Sequence, residues 1–490
     1  MSWNRREVLG GLGVASARAL LWGFSGCGAP QRAGARAAPA DTTGEIRVWL
    51  RDAVARLHGA GFTRVHALAV SRSRVTAAID VLGAGVARGR SDAVVLAVED
   101  ARGFREQVTS ALTETGVAAA VRVLAPKASA PARIDFGPPA PAPPAPHPDL
   151  DTLADASFVE RVAAIEHREL SSRIVYAAGL LDVDDATVWS IAEGRDLEQR
   201  LVRVRHSLTR VAWNGTQPSA SEVALAWAGG IDDQALGDDQ IAAARDTALE
   251  LMTPGAFADG EHPIVLSPSI AAAIADAAVS ALLTSSAARR PEVAARLVVG
   301  ASIASPVLTL VDDPTTPGAY GGFQFDDEGE PAAAQTLVER GRVVGRLADR
   351  AGVRAQLATR AGRGRRPGHA GPVEPMPSHL RVAPGTASIA LADGYQLEGS
   401  RGAVVDPASD RAVIAIARAR ELHAGLPTGR VYSDVELVGE LGPLLAAITE
   451  ASNETRTFGF RDERDELPRW RSIEAPSLRG TGVIRARRPS

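Results

Sequence analysis

The groups most able to do chemistry in this chain are carboxylates, and they are densest at Asp312-Asp313 and at Asp326-Asp327-Glu328-Gly329. An oxygen-rich cluster of that kind suits Ca²⁺ or Mg²⁺. Between two strands, however, Asp-Asp-Glu-Gly reads first as a turn whose carboxylates bond their own backbone. Histidine is sparse, with nine in the chain and none between His262 and His369. His369 and His379 flank Pro375-Met376-Pro377 and read as surface loop residues, and His206 reads as a core or sheet residue. Ser267 and Ser269 precede a helix and read as turn or cap residues. No Gly-x-Ser-x-Gly elbow in a suitable context supports a serine nucleophile. The glycines of Gly83-Ala84-Gly85-Val86-Ala87-Arg88-Gly89 have the wrong spacing for a dinucleotide loop. Arg363-Gly364-Arg365-Arg366 reads as a solvated basic cluster, and a net charge of -4 from 54 basic and 58 acidic residues gives no field favouring nucleic acid.

The elements that would carry these groups follow from periodicity. At 490 residues the chain is too long for one ordinary core, and 45% hydrophobic with 23% charged residues is a globular composition. Ile46, Trp49, Leu50, Val54 and Leu57 recur at helical spacing, and Gly59 and Gly61 stop that helix. Residues 65–70, 75–82 and 94–98 read as strands, 102–114 as a helix and 117–124 as a last strand. This gives a small N-terminal α/β domain over 45–125. A Pro/Ala-rich linker over 126–149 reads as a semi-rigid spacer. A central domain over 150–260 opens with a helix at 153–167 and continues with period-two strands at 174–181, 187–192 and 201–213. In the last of these, Val202, Val204, His206 and Leu208 share one face, and Arg203, Arg205, Ser207 and Thr209 the other. A helix at 239–252 follows. A β-rich C-terminal domain over 261–490 begins with a strand and turn at Ile264-Val265-Leu266-Ser267-Pro268 and a helix from Ile270 to about Thr284. The expected fold class is α+β.

The first residues carry a different kind of signal. Arg5 and Arg6 sit ahead of a Gly/Ala/Leu segment in the manner of a twin-arginine export signal. Phe24-Ser25-Gly26-Cys27 resembles a lipobox, and Cys27 is the single cysteine of the chain. Residues 1–27 therefore read as a signal segment and 28–44 as a tether. The expected location is the periplasm or a membrane to which lipidated Cys27 anchors the chain, the alternative being the cytoplasm. One cysteine permits no intrachain disulfide.

The order Ser305-Pro306…Asp312-Asp313…Pro317-Gly318…Gly322-Phe323-Gln324-Phe325-Asp326-Asp327-Glu328-Gly329…Val338-Glu339-Arg340-Gly341 resembles the signature of the TldD/PmbA metallopeptidases, also called modulators of gyrase. Glu193-Gly194-Arg195-Asp196, Pro375-Met376-Pro377 and Gly429-Arg430-Val431-Tyr432-Ser433-Asp434 resemble further blocks of that family. The resemblance is dense from Ile264 to Leu478 and loose from Leu153 to Gly260.

The family implies a divalent metal, zinc in type, held by a helical His-Glu-x-x-x-His with a cysteine near the C-terminus. Aligned on Val265-Leu266-Ser267-Pro268, the histidine positions fall on Asp276 and Ala281, the glutamate position on Ala277, and the cysteine position near Phe460. Alanine and phenylalanine offer no donor atoms, so no metal or other cofactor is expected. The resemblance implies a metal-less, non-catalytic subunit that pairs as a homo- or heterodimer with a TldD/PmbA homologue and holds an extended peptide. The other readings are an exported peptidase with an altered site around Asp276 and a stand-alone peptide-binding lipoprotein.

Overall fold

The computed structural model describes residues 43–80, 83–100, 103–127, 130–139, 150–166, 173–213, 218–250, 257–368, 371–462 and 469–487. Arg5, Arg6 and Cys27, with the rest of the expected signal segment and nearly all of the tether, lie outside the described residues, as does His369. Among the described residues no helix is long and apolar enough to cross a membrane.

Helix α1 (Thr43–Gly59) forms where its apolar spacing predicts, burying Ile46, Leu50, Val54 and Leu57. Helix α2 (Glu114–Leu124) is capped by Thr113, whose hydroxyl accepts from the Gly116 amide, and it buries Val117, Ala120, Val121 and Leu124. Here the structure reverses the expected order, because 102–114 carries a strand and 117–124 a helix. A short apolar run fits either state by pattern alone, and the cap with i, i+3, i+4, i+7 burial decides it. Helix α3 (Asp155–Glu166) and helix α4 (Asp238–Glu250) follow where expected.

Six strands make the first sheet: β1 (Arg64–Asp80), β2 (Gly83–Asp100), β3 (Gly103–Thr109), β4 (Ile174–Ala192), β5 (Arg195–Trp213) and β6 (Pro218–Ala228), in the order β3-β2-β1-β4-β5-β6. The expected N-terminal and central units therefore share one antiparallel sheet. Their junction is β1 against β4, in register from His66↔Ala192 to Asp80↔Ala178. Each pair of short strands expected in β1 and β4 is one long strand, because the polar residues between them pair across the sheet rather than turn. The described part of the Pro/Ala segment is docked, not a spacer: the Ala132 amide donates to Ala55 O, Asp135 O accepts from the Gly194 amide, and Phe136 packs on the core. Gly194 makes the tight β4–β5 turn at φ 68°, a conformation that favours glycine.

One face of this sheet packs Val65, Ala67, Val94, Leu96, Trp189 and Ile191 against α1 and α2. The opposite face carries Leu68, Val95 and Val188 and receives Phe325 of the acidic loop. Both faces are covered.

The second sheet is built from β7 (Gly260–Leu266), β8 (Leu310–Asp312), β9 (Gln335–Glu339), β10 (Arg342–Val343), β13 (His379–Val382), β14 (Gly394–Val405), β15 (Arg411–His423), β16 (Leu426–Tyr432), β17 (Val435–Glu440), β18 (Glu450–Asp462) and β19 (Arg469–Ala486). Two short strands, β11 (Gly364–Arg365) and β12 (Glu374–Pro375), pair separately. Strand β7 pairs with β14 on one side and β19 on the other, so β7-β14-β15-β17-β19 closes on itself. Helix α5 (Pro268–Leu282) packs on β14 and β19. Its Ile270-Ala271-Ala272-Ala273-Ile274-Ala275 run is buried nearly all round, as a helix enclosed by other elements requires. The fold class is α+β, as the sequence indicated.

Candidate functional site

Strands β18 and β19 form a hairpin ladder whose two faces do different work. Arg461 stands opposite Trp470, and Phe460 opposite Arg471. Successive side chains alternate across a sheet. Trp470 and Arg461 therefore turn toward the six-stranded sheet, where Arg461 pairs with Asp182, while Arg471 reaches α5.

On that second face the Arg471 guanidinium lies 3.1 Å from the Asp276 carboxylate, both side chains mostly buried. Structure thus brings together Asp276, Arg471 and the strand position of Phe460, which packs on the core beside the barrel. Ala277 and Ala281 follow on α5, and Ala281 opens into a polar pocket of about 210 Å³ lined by Ser280, Thr284, Ser286, Arg290 and Glu374. Its ionic character comes from Arg290 and Glu374, the latter 3.3 Å from Arg469. A cation placed between Asp276, Ala281 and Phe460 would meet one carboxylate, one methyl group, one phenyl ring and a guanidinium. That donor set does not fit a divalent metal. Among the described residues no group of three or more His, Cys, Asp or Glu is arranged to hold one.

The acidic signature is a docking device. Asp312 is fully buried and receives the Arg363 guanidinium, the Ser378 amide at 2.8 Å and the Ser378 hydroxyl at 2.8 Å. Arg363 also donates to Asp312 O at 3.0 Å. Asp313 accepts from the Thr315 amide and hydroxyl at 3.0 and 2.6 Å. Burial works to raise its carboxyl, but those bonds hold it below the usual range.

Asp326 to Gly329 is a turn, closed by the Gly329 amide on Asp326 O. Asp326 accepts from the amides of Glu328, Glu330 and Gly364 at 3.0, 2.9 and 2.8 Å. Burial, reinforced by Glu328, nonetheless pushes Asp326 up to about 7. Asp327 accepts from the Arg366 amide at 2.7 Å and Glu328 from the Arg350 amide at 2.6 Å. Burial raises the Glu328 carboxyl against the Arg350 contacts. Gly329 sits at φ 75°, its carbonyl 2.7 Å from Arg195 Nη1. A Cβ there would stand 2.2 Å from the Ser190 hydroxyl, so only glycine lets the turn lie this close to β4.

Two sequence expectations are corrected. Arg363 and Arg366 are buried, not solvated, because Asp312 and Glu106 pair with them. His379 is buried in β13 rather than exposed in a loop, with Nδ1 2.9 Å from the Ser472 hydroxyl. Burial lowers its pKa even though Glu474 opposes this. The polar face of β5 is covered as well: Arg203 is only 1% exposed and donates to Tyr320 O and Gly322 O at 2.9 and 3.2 Å. His206, on the other face, is buried as expected, and burial lowers it to about 4.

Residues 259–484 match the PmbA/TldA metallopeptidase C-terminal domain. Known folds agree across nearly the whole chain. The crystal structure of TldE from Thermococcus kodakarensis superposes with a TM-score of 0.67 over 91% of this chain and 100% of that one, at 16% identity. That of a Bacteroides thetaiotaomicron protein assigned as a modulator of DNA gyrase superposes with a TM-score of 0.71 over 91% and 99%, also at 16% identity. Residues 259–484 thus belong to the TldD/PmbA family. A metalloprotease of Methanocaldococcus jannaschii is 26% identical over 273 residues, 54% of this chain and 59% of that protein. One from Methanothermobacter thermautotrophicus is 25% identical over 279 residues, 54% and 61%. The matched region thus spans about three fifths of the length of these curated relatives. By this C-terminal domain, the chain is a metallopeptidase-related protein.

Proposed function

We propose that this chain is a non-catalytic TldD/PmbA subunit that pairs with a metal-bearing homologue and helps to hold an extended peptide. The observation carrying this reading is the Asp276–Arg471 ion pair at the position the family resemblance assigns to the metal. A guanidinium beside the lone surviving acid supplies the charge that a cation would otherwise bring. Ala277 leaves no general base at the glutamate position, and Ala281 and Phe460 leave no further ligands at theirs.

An extended peptide is held most economically by strand addition, whose main-chain bonds tolerate many sequences. Among the described residues strand β16 pairs with β15 alone and leaves its other edge open, and residues 426–430 are exposed. The export signal and lipidation at Cys27 belong to the same proposal and place the pair at the outer face of the cytoplasmic membrane. Affinity isolation of the untagged chain from native membranes, with metal quantification and a peptide-cleavage assay on the same sample, tests it. A histidine-bearing homologue should co-purify and carry both metal and activity. A metal-loaded, active chain isolated alone would overturn the proposal.

A further inference from the structure

A cavity of about 40 Å³ lies where the six-stranded sheet meets the C-terminal domain, on the Trp470 side of the β18–β19 hairpin. Its floor is aliphatic, from residues such as Leu68 and Val188, and its rim carries Arg72, Arg203, Arg365 and Arg366 with Trp470. Trp470 orients two of these, with the Arg72 and Arg203 guanidinium carbons 4.8 and 4.4 Å from its ring centre.

The charges around the cavity do not balance. Arg366 is held by Glu106 at 3.0 Å, Arg365 stands 3.7 Å from Asp327, and Arg72 stands 3.4 Å from Asp184. Arg203 binds only the two backbone carbonyls, with no carboxylate within ion-pair distance among the described residues. Its Nη1 is buried with no hydrogen-bond partner. Both oxygens of Asp184 also lack hydrogen-bond partners, and burial raises its carboxyl despite Arg72 and Arg203. Burial, with Arg365 nearby, pushes Arg203 down to about 9. A buried cation answered only by Asp184, its cross-strand neighbour shared with Arg72, and set beside a partly apolar void is costly unless something anionic enters.

We propose that this cavity binds a monocarboxylate with a short aliphatic stem, its oxygens on Arg203 and Arg365 and its stem on the Leu68–Val188 floor. The volume holds roughly three water-sized groups, which suits a carboxylate and one or two carbons. Guanidinium forks match carboxylate geometry, and a single negative charge answers the single unmatched arginine. The carboxylate could belong to a free small acid or to the end of a peptide. The site faces away from Asp276 and does not depend on the metal reading.

The test is calorimetric titration of the full chain, in buffer free of carboxylate and phosphate, with sodium propionate, inorganic phosphate, and N-acetyl-glycyl-alanine as free acid and as C-terminal amide. Saturable one-site binding of propionate is expected, with affinity at least about tenfold lower in Arg203→Gln and in Arg365→Gln. Arg365→Gln leaves the Arg203 bridge to Tyr320 and Gly322 intact, so it reports on binding even where Arg203→Gln does not fold. Binding of the acid peptide but not its amide assigns the source to a peptide terminus, and binding of propionate alone assigns it to a free acid. No saturable carboxylate binding, phosphate binding in its place, or unchanged affinity in Arg365→Gln would overturn the proposal.

Discussion

Arg471 and Asp276 form a 3.1 Å ion pair between β19 and α5, and Arg471 is the cross-strand neighbour of Phe460. In the proposed reading, a cation-binding corner is replaced by one that carries its own cation. The charge of Asp276 on α5 is answered by Arg471, and Phe460 packs on the core.

Because both partners are mostly buried, removing one weakens the compensation of the other. Arg471→Met should destabilise the fold by about 1–3 kcal/mol, and Asp276→Ala/Arg471→Met by less than the sum of its single changes. Urea unfolding of the four forms of the double-mutant cycle measures this. Strict additivity would show that the pair contributes nothing.

Restoring the ligand types should restore binding only when the resident cation is gone. Asp276→His/Ala281→His/Phe460→Cys is expected to bind zinc weakly while Arg471 remains, and at least about tenfold more tightly with Arg471→Ala added. Zinc titration against a competing chelator reads the difference. Equal affinities would mean that Arg471 does not occupy the metal corner.

The acidic loop should behave as a structural joint. Gly329→Ala introduces a Cβ at φ 75° that meets the Ser190 hydroxyl at 2.2 Å, with an expected loss of about 1–3 kcal/mol. Asp312→Ala strands the buried Arg363 and should cost about 3–5 kcal/mol. Thermal unfolding of each variant provides the check, and wild-type stability in both would remove the docking role.

Two buried groups give stability opposite dependences on pH. His66, 2.8 Å from the Ser190 hydroxyl, is pushed from 6.5 to about 3 by burial and then by Arg350, Arg366 and Arg195. The unfolded chain binds its proton first, so the His66 contribution is whole above pH 6.5 and is lost as pH falls, at about 1.4 kcal/mol per unit. Asp326 rises from 3.8 to about 7, so its contribution is whole below 3.8 and is lost as pH rises through about 7. The two oppose each other between about pH 4 and 6.5. His66→Gln should therefore shift the slope of stability against pH downward relative to wild type across that window, by about 1.4 kcal/mol per unit, and denaturant midpoints of both proteins at several pH values test the sign. A variant curve parallel to wild type would contradict it.

The sequence was legible where pattern and turn chemistry agree. The spacing from Ile46 to Leu57 marks α1, Asp326-Asp327-Glu328-Gly329 is the turn its composition predicts, and the apolar run from Ile270 marks the buried helix α5. The joining of β1 to β4 was not legible, because long-range pairing leaves no local trace and the proline-rich segment between them resembles a boundary. Arg363 and Arg366 were misread for a related reason. An arginine in isolation reads as solvated, and only the fold brings Asp312 and Glu106 to them. The burial of Arg203 had one available signal, the pairing of basic residues on a β5 face with acidic Asp182 and Asp184 on β4.

The most direct test of the account is the zinc content of the purified, untagged chain after equilibration with zinc and removal of free ion. The account predicts far less than one ion per chain, unchanged in Asp276→Ala. A ratio of about one ion per chain that falls in Asp276→Ala would contradict it and return the chain to the metallopeptidases.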